Sequence, residues 1–581
     1  MHIRYLVLSP APDSEDPLCC TLHSAPLDSL PPFEAISYVW GNNQKVAQVS
    51  LDDGVIRITA SLDGALRRLR LPDAKRTLWA DSICIDQANR KEQGNQVALM
   101  GKIYAKAVKT IIFLGPDPDA HAENVASLLK EITQRIERQG GSLEDNRFVP
   151  ELDLHDPLSA DPRWSSYRAM VASPWFTRVW TVQEAALGGN PQILWGTTEM
   201  PWAQLIGVNQ WLLSKARHIW YYMRPWLNDA HGRGFWMLIW PMPNFVEVLA
   251  RAKQLHCSDE RDRIFAFLGS PKALLGENGA VIMRPDYEKN FREVYLDFAT
   301  AWLETTQWLG LLSAVEHTME TFEEDHPSWV PRWDVPLTNG YFGLYAQGFE
   351  ASKGLDKTAP EFVSKTRLKL RGIVVDVVRW RSDILPEHMG VEEPTSSILR
   401  NVWNYLSGTS SNGVFAAWKH LSLPATKFAY TNRSRLLAFT RTICRQAYGD
   451  ASPEFHPDEA AFALSLSRRS SRFTDLDIPS LEKDAKGGDI KAFVTHAGIW
   501  ATFRRLILTG DGHYALAPQI TEEDDLCCVI SGLPVPVILR KTEEEDCYKL
   551  IGEAFVLGMM DGEVLKTSRK GGNKLQDITL C

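Results

Sequence analysis

Glu34-Ala-Ile-Ser-Tyr-Val-Trp-Gly41 decides how the N-terminal part of the chain is read. Ala35–Val39 is a short apolar run, and Gly41-Asn42-Asn43 closes it with a turn, which is the pattern of a buried strand. The Pro-rich stretch Leu27–Phe33 leads into it. Downstream, Gln48–Leu51 and Val55–Thr59 form a hairpin pattern across Asp52-Asp53-Gly54. Two more strand-like runs follow. Thr77–Ile85 is continuous and apolar except at Asp81 and Ser82, and Thr110–Leu114 is stopped by Gly115-Pro116. Helical patterns lie between and after them. Ser61 caps a helix through Leu62, Leu66 and Leu69, a second uses Val97, Met100, Ile103, Tyr104 and Ala107, and Ala122–Arg138 is amphipathic through Val125, Leu128, Leu129, Ile132 and Ile136. Strands alternating with helices predict a parallel sheet covered by helices.

Ligands of such sheets gather at the carboxyl ends of the strands. Those ends carry Trp40 and Gly41, then Cys84, Asp86 and Gln87, then Gly115, Pro116 and Asp117. Further on, Ser173-Pro-Trp-Phe-Thr-Arg-Val-Trp-Thr-Val-Gln-Glu-Ala-Ala-Leu-Gly188 reads as a helix of about four turns, with Ser173 as N-cap, Pro174 at the first position and Gly188 as a left-handed stop. Phe176, Trp180 and Glu184 recur at i, i+4 and i+8 on one face, with Gln183 beside them. A carboxylate on an aromatic stripe is costly unless it is partnered, solvated or used, and desolvation raises its pKa. The plainer account is a partly exposed helix whose Glu184 caps or pairs with an arginine. Plainer accounts exist for the neighbours too: Asp86 as turn and cap, Asp81 as a mid-strand carboxylate bonded to backbone, and Cys84 as a small core residue. Neither GxGxxG nor GxxxxGK[ST] is present, so no standard phosphate cradle is expected.

A chain of 581 residues calls for two to four domains. Hydrophobic residues at 44% and charged residues at 23% fit a soluble globular protein. A net charge of −9 argues against a nucleic-acid partner, which needs a basic face. The nine cysteines make no CxxC pair and no HExxH occurs, so neither zinc nor a disulfide framework is expected. The N-terminus lacks a signal-peptide layout, and Phe235–Trp240, closed by Pro241 and Pro243, is too short to span a bilayer. A cytoplasmic protein without a membrane span is the expectation.

The expected architecture is an α/β domain over 1–200 and an aromatic-rich helical region over 201–365. A small antiparallel β domain, which could close as a barrel, follows from 366–380 with 500–565. A mainly helical insertion fills 381–499, with a flexible linker near 465–488, and the polar tail beyond Val564 reads as frayed. Cys257–Gly269 is a charged turn that caps a helix, and Pro327–Asp334 is a Pro-locked, Trp-rich strap.

Several blocks, in this order and spacing, resemble the fungal heterokaryon-incompatibility (HET) domain proteins. They are Ala35-Ile-Ser-Tyr-Val-Trp-Gly41, Trp79-Ala-Asp-Ser-Ile-Cys-Ile-Asp-Gln87, the helix through Gln93 and Met100, and Pro174-Trp-Phe-Thr-Arg-Val-Trp-Thr-Val-Gln-Glu184. Cys257–Gly269, Pro327–Asp334, Leu508–Pro518 and Val535–Glu563 look like the longer members. The resemblance implies nonself recognition between fused fungal cells, ending in growth arrest or cell death. It implies partners among other incompatibility or death-effector proteins, or self-association. HET domains are similar to TIR domains, which share a flavodoxin-like sheet, and some of which hydrolyse NAD with the glutamate of a Trp-x-x-x-Glu helix. Trp180-Thr-Val-Gln-Glu184 has that spacing. On that reading Glu184 is catalytic, Trp40, Gly41, Asp86, Gln87, Phe176 and Trp180 bind substrate, NAD is the substrate, and no resident cofactor or metal is needed. The alternative is a non-enzymatic module that kills by assembly, with Glu184 structural. No P-loop ATPase motif, ankyrin or WD repeat is present to drive oligomerisation.

Overall fold

The computed structural model describes residues 2–41, 44–52, 54–220, 242–275, 279–336, 340–344, 348–385, 432–445, 454–468, 476–568 and 574–581. The run Phe235–Trp240, and with it Tyr221, Tyr222 and Trp226, lies outside them. The chain divides into two compact units, Met1–Val294 and Tyr295–Cys581, so the unit boundary falls inside the region expected to be one helical block at 201–365.

In the first unit, the strands up to Pro201 among the described residues are β1 (His2–Leu8), β2 (Cys20–Pro26), β3 (Glu34–Tyr38), β4 (Ala47–Leu51), β5 (Gly54–Ile58), β6 (Arg76–Trp79), β7 (Lys109–Gly115), β8 (Gln192–Trp195) and β9 (Thr198–Pro201), and Leu274–Leu275 pairs with Ala280–Val281 further on. Seven of them make one sheet in the order β2-β1-β6-β3-β7-β8-β9, while β4 and β5 form a separate hairpin. The central pairs β6–β3, β3–β7 and β7–β8 are parallel, and β2–β1, β1–β6 and β8–β9 are antiparallel. The parallel strands, numbered among themselves, run 2-1-3-4. This is the flavodoxin-type winding, whose ligand crevice opens between the first and third strands, here β3 and β7. The sheet is therefore mixed α/β with a parallel centre.

Helices of this unit that bear on the site are α1 (Ala60–Leu69), α2 (Asp81–Cys84), α3 (Arg90–Val97), α4 (Met100–Lys106), α5 (His121–Arg138), α6 (Arg163–Val171), α7 (Val179–Leu187) and α8 (Trp202–Lys215). α1 and α7 both pack on β3 and β7. On α5 the periodic residues Val125, Leu128, Leu129, Ile132 and Ile136 are all buried, each contributing about 1.5–3 kcal/mol of apolar burial.

Local expectations needed correcting in three places. The run Thr77–Ile85 is not one strand: β6 ends at Trp79 and Asp81 opens the single turn α2, with the N–H groups of Ile83 and Cys84 both bonded to Ala80 O. Thr59, not Ser61, caps α1 through its hydroxyl. The long helix from Ser173 is broken: Pro174–Thr177 is a 3-10 turn, Arg178 is extended at φ −94° and ψ 141°, and α7 starts afresh at Val179. Phe176 therefore does not share the face of Trp180 and Glu184. Gly188 is not left-handed, with φ −64° and ψ 139°. Its missing Cβ matters for space: one built there would lie 2.4 Å from Thr110 Oγ1 and 2.5 Å from Glu184 O.

In the second unit, the 15-residue strand Arg367–Arg381 pairs with Leu526–Ile530. Val537–Lys541, Cys547–Glu553 and Gln576–Leu580 follow in turn, and the last pairs back onto Arg367–Arg381. The pairings close a ring, which removes unpaired edges. One pair in it, Cys547–Glu553 with Gln576–Leu580, is parallel, so the barrel is not wholly antiparallel. The tail expected to fray supplies this last strand. The far end of the long strand carries Arg505–Thr509 and then Tyr514–Ala517. Around the expected linker, the helix Pro457–Ser467 ends and the helix Ile478–Asp484 begins, with the Asp477 side chain accepting from Ser480 N at its cap. Residues 469–475 lie outside the described ones.

Candidate functional site

Two carboxylates and one arginine meet where β3 and β6 end. β3 opens on the half-buried Glu34, is buried from Ala35 to Tyr38, and carries one buried hydroxyl, Ser37, which points at α7. Trp175 Nε1 donates to Ser37 Oγ at 2.8 Å, and Ser37 Oγ donates onward to Glu184 Oε2. Glu184 is only 3% exposed. At the other side, Asp81 Oδ2 accepts from Trp40 Nε1 at 2.9 Å and Asp81 Oδ1 from Ser82 N at 2.7 Å. Tyr38 Oη and Ser82 Oγ share a hydrogen bond of 2.6 Å. Arg178 Nη1 donates to Tyr38 O, which ties the break before α7 to the end of β3.

The electrostatics follow from burial with one cation for two acids. Desolvation pushes Glu184 up to about 7, opposed by Arg178 and helped by the nearby Asp81. Asp81 is raised by burial as well, with Arg178 and the Ser82 and Trp40 hydrogen bonds pulling the other way. Glu184 can thus give or take a proton near neutral pH, the range a general acid or base needs. Cys84 is buried and its thiol is pushed up to about 12, so it stays protonated and is no nucleophile.

The residues expected to bind substrate are only partly brought together. Trp40 lies on Asp81, and Gln87 Nε2 donates to Asp81 O at 3.3 Å. Gly41 is exposed at φ +70° just beyond Trp40. Asp86 is exposed and its Oδ1 accepts from Ala88 N at 3.0 Å, a turn-capping role. Phe176 is fully buried, stacked on Trp202 and edge-on to Trp175, so it belongs to the core. Trp180 is turned away from Glu184's partners, its Nε1 donating to Asp262 Oδ2 at 3.0 Å. Sequence reading did not assign Ser37, Tyr38 or Ser82 to the site, and it offered Arg178 only as one possible partner of a structural Glu184. Their only signal was position, at or just past strand ends and at the residue before α7. Among the described residues no group of acidic, histidine and cysteine side chains is arranged to hold a metal ion, and no helix is long and apolar enough to cross a membrane.

Comparison with known proteins agrees with this architecture. Residues 33–184 match the family described as Heterokaryon incompatibility protein (HET), a span that runs from the start of β3 to Glu184 itself. Residues 483–573 match the Het-6 beta-barrel domain, a span that holds the ring strands Leu526–Ile530, Val537–Lys541 and Cys547–Glu553 but neither Arg367–Arg381 nor Gln576–Leu580. The chain thus carries a HET domain and a Het-6 barrel domain. It is similar to Heterokaryon incompatibility protein 6, OR allele, of Neurospora crassa, at 23% identity over 666 aligned positions that cover 98% of this chain and 95% of that protein. No solved structure matches it.

Proposed function

We propose that this chain acts in fungal nonself recognition as a cytoplasmic protein whose N-terminal unit is the effector that arrests or kills the cell. Likeness to a protein named for heterokaryon incompatibility, running through both domains and almost end to end, carries this reading. Its partners are other incompatibility or death-effector proteins, or further copies of itself. On the enzymatic form of the reading, Glu184 steadies the positive charge that develops when the nicotinamide–ribose bond of NAD breaks, while Trp40 stacks on a base. Support comes from the Trp180-x-x-x-Glu184 spacing, the TIR resemblance, and a carboxyl that titrates near 7 beside the crevice of a flavodoxin-type sheet. This form requires the Ser37 hydroxyl to release Glu184, which is covered in the closed arrangement.

The covered state favours a second form, in which the unit acts by assembly and Glu184 is structural. One experiment separates the two. NAD loss is followed with purified wild type and Glu184→Gln, folding being checked by circular dichroism, and killing is scored for both in a fungal host. Consumption by wild type and not by a folded Gln variant, with toxicity following it, supports the enzyme. Killing without NAD loss by either protein refutes catalysis and leaves assembly.

A further inference from the structure

The break before α7 is held from outside the residues that match the HET family. A new helix start leaves N–H groups without intrahelical partners, and here Val179 N donates to His256 O at 3.0 Å while His256 N donates to Thr177 O at 2.6 Å. Arg178 and His256 thus form an isolated parallel bridge. One residue into the helix, Trp180 Nε1 meets Asp262 Oδ2, and Asp262 Oδ1 accepts from Tyr287 Oη at 2.6 Å. Near the middle of the helix, Gln183 Oε1 accepts from Gly269 N at 3.0 Å. The approach there is close: a Cβ on Gly269 would sit 2.4 Å from Gln183 Oε1. Backbone, indole and amide contacts therefore run along the helix on which Glu184 follows Gln183 and lies four residues beyond Trp180.

We propose that the segment His256–Gly269 belongs to the effector unit and that Asp262 is a positioning residue, which sets α7 so that Arg178 reaches the Tyr38 carbonyl and Glu184 reaches Ser37. The functional half of this statement rests on the effector reading above; the structural half does not. Asp262 suits the task because both its oxygens are engaged, one by α7 and one by Tyr287, so it joins the helix to the chain beyond Gly269. A buried hydrogen bond to a charged group is worth enough that its loss should raise local opening of α7 by about tenfold.

The test is hydrogen exchange on the full chain. Asp262→Ala and Trp180→Phe should each raise exchange of the Val179–Leu187 amides by about tenfold and leave those of α1 and α5 unchanged. The double variant should add little beyond Asp262→Ala, because the bond that Trp180→Phe removes is already absent there. Killing should fall in step in both single variants at equal protein level. Unaltered α7 exchange, or independent addition of the two effects, overturns the positioning role. Raised exchange with undiminished killing overturns its link to function. If wild type fails to kill, the effector reading fails alone, and the exchange data still decide whether Asp262 holds the helix.

Discussion

Replacing Glu184 by glutamine should stabilise the N-terminal unit at high pH and do little at low pH. The carboxyl titrates near 7 when folded, against an ordinary 4.5. Between those values the folded chain binds the proton and the unfolded chain does not, so stability is lost as pH rises from about 4.5 through 7 and is level above. The difference corresponds to about 3 kcal/mol by pH 8, an upper figure because the buried acids are coupled to each other. At pH 5 wild-type Glu184 is neutral and close to glutamine in shape, so the two proteins should be nearly equal. At pH 8 the variant should be ahead by up to that amount. Asp81 and Asp262, both raised by burial, titrate in either protein and largely cancel. Asp81 also loses an anionic neighbour in the variant, which adds to the gain. Pulse proteolysis in urea at pH 5 and pH 8, mapped to peptides of the first unit, reads the difference. A gap that is flat with pH, or one that turns against the variant as pH rises, would refute the assignment of Glu184 as a buried acid with a raised pKa.

Two further substitutions probe packing. Gly188→Ala forces a methyl against Thr110 Oγ1 and Glu184 O, and should cost about 1–3 kcal/mol in the same proteolysis assay. In the second unit, Arg504 and Glu553 are each 3% exposed and form an ion pair, with Glu553 also accepting from Phe342 N and Gly343 N. Arg504→Met alone leaves a buried carboxylate without its cation and should lower that unit's stability by about 3–5 kcal/mol in urea. Adding Glu553→Gln should recover part of it.

The parallel centre was legible because Ala35–Val39 and Thr110–Leu114 are apolar on both faces, which short periodic windows detect well. The antiparallel edges were not. β2 shows only one buried residue, Cys20, and carries His23 and Ser24, so its pairing with β1 is decided by the neighbour rather than by its own pattern. The break at Arg178 was invisible for a related reason. Neither glycine nor proline marks it, and what holds it is His256, far away in sequence. Glu184 could be singled out from its spacing, while its true contacts, Ser37 on β3 and through it Trp175, come from strands and turns that only the fold brings near. The closing strand Gln576–Leu580 was hidden by its polar composition, since two of its residues face solvent and the register is fixed by the long strand beside it.

That long strand sets a schedule for synthesis. Arg367–Arg381 leaves the ribosome well before the other strands of its ring, and its final neighbour, Gln576–Leu580, comes about 200 residues later, on the order of 10–40 s at common elongation rates. Until the last of those strands arrives, its apolar positions Leu368, Leu370, Ile373 and Val378, all buried in the finished barrel, lack the closed ring that covers them. Nascent chains of this protein should therefore lean on ribosome-associated chaperones between those two points, and chains stopped short of residue 576 should aggregate rather than accumulate as a soluble fragment.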